Sequence, residues 1–77
     1  MNNKFNDFPQ YRAISGRKVY YKISYERYFE EISWIGEKIQ VFKMNATQYP
    51  EMLRIADMLN CEEPYILLSE KYHHLFD

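Results

Sequence analysis

The sequence predicts an α+β fold: an antiparallel β-meander of about four strands, one amphipathic helix packed on one face, and a short C-terminal strand and helical turn. Residues 11–44 are rich in β-branched and aromatic residues and are interrupted only by Ser15-Gly16 and Gly36-Glu37, a pattern typical of strands joined by tight turns. Residues 50–60 then change to a helical period. A short apolar run, 65–68, follows.

Length and composition predict one domain with one core. The chain has 77 residues, of which 47% are hydrophobic and 18% aromatic, which excludes a disordered segment. Residues 1–10 are polar and end near Pro9, so we predict a flexible lead-in there and a single domain over residues 11–77. Within the lead-in, Phe5 and Phe8 are the side chains that could pack on the domain.

The turn Gly36-Glu37 predicts the register of the last two strands. Glycine suits the first central position of a type II′ hairpin turn, and this turn pairs Trp34 with Ile39, Ser33 with Gln40, Ile32 with Val41 and Glu30 with Lys43. Like residues meet in the apolar pairs, and opposite charges meet in the last.

A turn at Tyr25-Glu26 extends the same logic to the preceding strand. It pairs Ile23 with Tyr28 and Val19 with Ile32, and so predicts a single core face. The members of that face are Val19, Tyr21, Ile23, Tyr28, Ile32, Trp34, Ile39 and Val41. A helix over residues 25–35 stays open as an alternative, because several of its apolar residues also fall at helical spacing behind Ser24. A turn at Ser15-Gly16 places Arg12 opposite Val19 on the core face, so the first strand is either an edge strand or misaligned.

Residues 50–60 predict an amphipathic helix of about three turns. Met52, Ile55, Ala56 and Leu59 form one stripe, and Pro50 is tolerated in the first turn. Residues 65–68 predict a short strand, after which Ser69 could cap a helical turn that carries Tyr72, Leu75 and Phe76. One continuous helix from Pro64 fits the same apolar spacing and stays open.

Three segments carry a family resemblance: Val19-Tyr20-Tyr21-Lys22-Ile23, Phe29-Glu30-Glu31-Ile32 and the helix that begins Tyr49-Pro50-Glu51-Met52-Leu53. With them, the chain resembles a group of small uncharacterised bacterial proteins that share a Tyr-rich strand, an F-E-E-I strand and a Y-P-E-M-L-R-I-x-D-M-L helix. The resemblance covers most of the chain. It implies a small bacterial cytosolic protein and transfers no activity and no site residue.

The residues with catalytic or metal-binding chemistry form no recognisable site. Cys61, His73 and His74 match no usual zinc spacing, and we interpret Cys61 as a small buried hydrophobe at a helix end. The carboxylates Glu30 and Glu31 are neighbours on a strand and therefore point to opposite faces. With only two glycines the chain has no phosphate-binding loop, so we expect no catalysis, no metal and no cofactor.

The second face of the predicted sheet is too apolar to face solvent alone. By the predicted register it displays Lys18, Tyr20, Lys22, Phe29, Glu31, Ser33, Ile35, Gln40, Phe42 and Met44. The terminal residues could cover it, or it could be an interface with another protein or a second copy, with Tyr20, Phe29, Phe42 and Met44 as the candidate contacts. A weak single-stranded nucleic-acid site is the alternative, in which Arg12, Arg17, Lys18 and Lys22 would contact phosphates beside the aromatic rings.

The charge asymmetry predicts two halves of one domain that attract each other, rather than a basic face for an acidic partner or nucleic acid. Residues 1–44 carry a net charge of +3 and residues 45–77 a net charge of −4, and the total of −1 is far from that of a dedicated nucleic-acid module. We therefore expect a small, soluble, non-catalytic interaction module. The lack of a signal peptide or long apolar run predicts a cytoplasmic location without a membrane contact, and no small-molecule substrate is indicated.

Overall fold

A computed structural model describes residues 7–76 of the chain, and these residues form the predicted α+β fold. An antiparallel five-stranded sheet has the strand order β4-β3-β2-β1-β5 and carries one α-helix. The elements are β1 (Gln10–Ile14), β2 (Val19–Tyr25), β3 (Tyr28–Ile35), β4 (Lys38–Asn45), α1 (Tyr49–Leu59), β5 (Tyr65–Leu67) and a 3₁₀ helix (Glu70–Phe76). Of the lead-in side chains, Phe8 packs against the core, whereas Phe5 lies outside the described residues.

The predicted register between β3 and β4 is confirmed. Trp34 lies opposite Ile39, Ile32 opposite Val41 and Glu30 opposite Lys43. Gly36 has a φ of +65° at the first central position of the two-residue turn, as a type II′ turn requires. The local turn chemistry therefore fixes this hairpin.

The predicted register between β2 and β3 is wrong by one residue. The turn residues are Glu26 and Arg27, with Tyr25 opposite Tyr28, and the pairing is irregular between Ile23 and Tyr25. Val19 consequently lies opposite Ser33 rather than Ile32, and Ile23 opposite Phe29 rather than Tyr28. Since a one-residue shift moves every side chain to the other face, the single predicted core face divides between the two faces of the sheet. The segment 25–35 contributes strand β3 and not a helix.

We name the two faces by what covers them. The helix face carries Val19, Tyr21 and Ile23 of β2, with Phe29 of β3, and α1 packs on it. The outer face carries Tyr20 and Lys22 of β2, Ile32 and Trp34 of β3, and Ile39 and Val41 of β4. The core lies on the helix face and consists of Tyr21, Ile23, Phe29, Ala46, Ile55, Met58 and Leu59.

The first turn of α1 is capped by a carboxylate. The helix covers Tyr49–Leu59, one residue earlier than predicted at each end. Glu51 Oε1 accepts hydrogen bonds from the backbone N–H groups of Thr47 (2.9 Å) and Gln48 (3.1 Å). Such a carboxylate satisfies amide groups that the helix itself leaves without partners, and it is favoured there by the helix dipole.

The last turn of α1 ends in a Schellman motif. The N–H of Glu62 donates to the carbonyl of Asp57 (2.9 Å), and that of Cys61 donates to the carbonyl of Met58 (3.1 Å). Cys61 has a φ of +54°, a left-handed conformation that usually belongs to glycine, and its side chain is exposed. The interpretation of Cys61 as a buried hydrophobe is therefore wrong, because the motif turns this residue outward.

The C-terminal residues form a short strand followed by a helix, as predicted, and the alternative of one continuous helix does not occur. Strand β5 pairs with β1, and the 3₁₀ helix crosses the outer face over β1 and β2. There His73 stacks on Tyr11 with ring centroids 3.7 Å apart, and Tyr72 stacks on Tyr20 at 5.7 Å. Among residues 7–76, no helix has the length and apolar character needed to cross a membrane.

Candidate functional site

The four predicted interface residues do not share one surface. Tyr20 lies on the outer face under Tyr72, whereas Phe29, Phe42 and Met44 lie on the helix face. Phe29 is completely buried, and Met44 is half-buried against the core. Phe42 is 46% exposed, so it is the one member of the four that is open to a partner.

The four predicted nucleic-acid contacts are also separated. The guanidinium of Arg12 is buried, and it donates to the carbonyls of Met58 (2.8 Å) and Leu59 (3.1 Å) at the end of α1. Lys22 lies on the outer face directly opposite Glu30. Arg17 and Lys18 are exposed in the β1–β2 turn. The structure thus brings only Arg17 and Lys18 of these four together, in a cleft that Arg54 and Glu31 also line.

Strand β4 is the most exposed regular element of the described chain. Seven of its eight residues are exposed, and only Met44 is half-buried. Because Ile35 and Lys38 flank the two-residue turn, they form a hydrogen-bonded pair, and the even-numbered residues of β4 bond to β3. The N–H of Trp34 accordingly donates to Lys18 of β2 (3.1 Å) instead of to β4. The N–H and C=O groups of Ile39, Val41 and Lys43 therefore point away from the sheet.

Apolar side chains surround this open edge on both faces. Trp34, Ile39 and Val41 are on the outer face, and they are 38%, 49% and 57% exposed. Ile35 and Phe42 are on the helix face, and they are 60% and 46% exposed. We call these five side chains, with the outward backbone groups of β4, the β4 surface.

Sequence reasoning missed three members of the β4 surface, Trp34, Ile39 and Val41, because it placed them in the core. The signal that could have found them is topological. A meander whose chain continues into a helix leaves its last strand at the edge of the sheet, with backbone groups for which the chain supplies no next strand. Such an edge is open to pairing with another chain.

Apart from the β4 surface, a cleft lies where the 3₁₀ helix meets the sheet. It has a volume of 360 Å³, contains three aromatic rings and one lysine, and is lined by Lys18, Tyr20, Trp34, Tyr72, His74 and Leu75. The stacking of Tyr20 on Tyr72 fills one side of it. Trp34 borders both this cleft and the β4 surface.

Polar side chains between α1 and the sheet hold the helix in place. Arg54 donates to the hydroxyl of Tyr21 (3.2 Å), lies 3.5 Å from a carboxylate oxygen of Glu31, and sits over the ring of Phe29 at 5.1 Å. Burial, and after it the adjacent Glu31, raises the pKa of Tyr21 well above its ordinary value of 10.0. Tyr21 is therefore a neutral hydroxyl at physiological pH, and the cluster bridges two elements of the fold.

The histidines serve local contacts. His73 Nε2 lies 3.1 Å from the carbonyl oxygen of Leu68, and His74 Nδ1 lies 2.8 Å from that of Lys71. Within residues 7–76 there is no group of three or more His, Cys, Asp or Glu side chains placed to hold a metal ion.

Comparisons with known proteins supply no relative from which a role could be transferred. No protein-family model matches the chain, and neither the curated proteins nor the solved structures give a match. The resemblance to small uncharacterised bacterial proteins stays a prediction.

Proposed function

We propose that this chain is a non-catalytic protein-interaction module and that the β4 surface is its contact site. The observation that carries the proposal is the state of β4, a strand of eight residues whose outer edge pairs with no other strand of residues 7–76 and whose apolar side chains are exposed on both faces. Strand addition uses these two properties together: main-chain hydrogen bonds give affinity, and alternate side chains give specificity.

The centre of the edge lacks the features that usually protect such strands from pairing. Protected edges are very short, contain proline or a bulge, or carry charged side chains, lysine in particular. β4 is long, contains no proline and pairs with β3 in an uninterrupted register. Its lysines, Lys38 and Lys43, lie near its two ends, so the central stretch of Ile39 to Phe42 carries no charge.

Site-specific photo-crosslinking in cells that express the protein tests the proposal. A benzophenone side chain at Val41 should form an adduct whose cross-linked peptide mass spectrometry can identify. The same group at Glu62, an exposed position at the end of α1, is the matched control and should form none. Ile39→Lys should reduce the Val41 adduct, because it places a charge in the centre of the edge.

Two outcomes would contradict the proposal. One is the absence of any adduct at Val41, and the other is an equal yield at Val41 and Glu62, which would reflect exposure alone. The mass of the adduct also separates a second copy, at twice the 9.5 kDa of the chain, from a foreign partner.

A further inference from the structure

We propose that the occupant of the β4 surface is a second copy of this chain, joined through antiparallel β4–β4 pairing about a two-fold axis. This inference rests on the proposed function and names its partner. The argument is charge and shape complementarity of the edge with itself. An isologous interface of this kind requires that one patch be complementary to its own rotated image.

The geometry of the edge restricts the possible registers. A two-fold axis perpendicular to the sheet keeps the outer face of one copy continuous with that of the other. The residues that face each other across the junction must then be those with outward backbone groups, which are Ile39, Val41 and Lys43. Only registers that pair odd-numbered residues with odd-numbered residues satisfy this condition.

One of these registers matches the apolar and the charged side chains of the outer face, and on the helix face it places Lys38 opposite the partner's Phe42. With Ile39 opposite the partner's Val41, Glu37, the turn residue that precedes β4, comes beside the partner's Lys43, and the two-fold axis repeats both contacts. Ile39 of each copy then forms a hydrogen-bonded pair with Val41 of the other copy, and the two pairs together contribute about four backbone hydrogen bonds. β-branched pairs and opposite-charge pairs are both favourable across strands.

The neighbouring registers lose this match. Pairing Ile39 with the partner's Ile39 places Val41 beside the partner's Glu37, an apolar side chain against a charge. Pairing Val41 with the partner's Val41 places Ile39 opposite the partner's Lys43, an apolar side chain against a charge. A further shift places Val41 opposite the partner's Lys43 and leaves Glu37 beyond the end of the partner strand. In the proposed register the outer-face strip of Ile32, Ile39 and Val41 instead continues from one copy into the other.

Charge reversal on the purified full chain tests the partner and the register together. Light scattering on a size-exclusion column, over loadings from about 1 μM to 1 mM, should show the wild-type chain passing from monomer to dimer. Glu37→Lys and Lys43→Glu should each weaken the dimer by about tenfold or more, because each turns two attractive contacts into repulsive ones. Because Glu30 lies opposite Lys43 within the chain, all these variants also carry Glu30→Gln, and in that background Glu37→Lys/Lys43→Glu should restore the dissociation constant of Glu30→Gln alone.

Restoration in the double variant can only be intermolecular. Glu37 and Lys43 are six residues apart on one extended hairpin, about 20 Å, so they do not meet within a single chain. Glu62→Lys, an exposed position at the end of α1 on the side of β1 and β5, is the matched control and should leave the dimer unchanged. Circular dichroism of each variant at low concentration shows that the monomer is folded.

A wild-type chain that stays monomeric up to 1 mM would overturn the inference, and so would a dimer that is insensitive to the single reversals or not restored by the double variant. The proposed function would survive a monomeric result if benzophenone at Val41 yields a specific adduct with a different protein.

Discussion

Arg12 is a buried cation that closes the C-terminal end of α1 from the neighbouring strand. Its side chain is 6% exposed and donates to four acceptors: Met58 O (2.8 Å), Leu59 O (3.1 Å), Tyr11 O (2.8 Å) and Gln10 Oε1 (2.6 Å). The last turn of α1 contains no basic residue of its own, so Arg12 is the cation that faces the negative end of the helix dipole. We predict that Arg12→Met strongly destabilises the fold.

The magnitude follows from the bonds that are lost. Hydrogen bonds to charged groups contribute about 1.5–3 kcal/mol each, which for the two helix carbonyls gives about 3–6 kcal/mol. The carbonyl of Met58 keeps a second donor, the N–H of Cys61, and removal of the guanidinium also removes the cost of burying it. A net loss of about 3 kcal/mol is therefore expected, against a total of about 4–12 kcal/mol for a chain of this length. Arg12→Lys keeps the charge but not the planar fork, and should cost about 1–2 kcal/mol.

Urea unfolding followed by circular dichroism measures this loss. At a slope of about 1 kcal/mol per molar urea, the midpoint for Arg12→Met should fall by about 3 M. Arg17→Met, in the exposed β1–β2 turn, should change the free energy of unfolding by less than about 0.5 kcal/mol. If Arg12→Met unfolds at the wild-type midpoint, the guanidinium does not stabilise α1 and the reasoning is refuted.

Two further predictions concern Cys61 at the C-terminal end of α1 and Tyr21 of β2, which lies under the helix. Cys61→Gly should stabilise the fold by about 0.5–1 kcal/mol. Glycine relieves a left-handed conformation that costs a non-glycine residue about 1–2 kcal/mol, and part of this gain is offset because glycine raises the conformational entropy of the unfolded chain. Cys61→Ala keeps a non-glycine residue in the left-handed conformation and should change the melting temperature little. A melting temperature for Cys61→Gly at or below that of wild type would contradict this. Because burial raises the pKa of Tyr21, its stabilisation is complete below about pH 10 and is lost as pH rises towards the folded-state value. Above pH 10, the free energy of unfolding of the wild-type chain, measured in denaturant titrations, should fall by up to about 1.4 kcal/mol per pH unit relative to that of Tyr21→Phe. If the two free energies change with pH in parallel, the fold does not raise the pKa of Tyr21 and the prediction is wrong.

The elements that local chemistry specifies were predictable from the sequence. Gly36 fixed the last hairpin, because a type II′ turn needs a positive φ at that position, and the pairing of Glu30 with Lys43 followed from it. The period of Ile55 and Leu59 fixed α1 in the same way. Each of these signals lies within a few residues of the structure that it specifies.

The distribution of residues between the two faces was not predictable, because one irregularity decides it. The extra residue between Ile23 and Tyr25 carries no glycine or other local marker, yet it moves Trp34, Ile39 and Val41 from the core to the outer face. The role of Arg12 depends on the end of a helix 46 residues away in sequence, and no local pattern reports such a contact. The irregularity between Ile23 and Tyr25 is also why the sequence did not predict the candidate site: of the predicted contacts, Phe42 alone belongs to the β4 surface.

Residue-specific amide hydrogen exchange in β4 tests the use of its open edge in self-association most directly. At low concentration the N–H groups of Gln40 and Phe42, which bond to β3, should be protected, while those of Ile39, Val41 and Lys43 should exchange freely. At concentrations where the chain associates, the three outward groups should become protected as well. If they exchange freely at every concentration up to about 1 mM while the chain associates, the contact does not use this edge and the account is wrong.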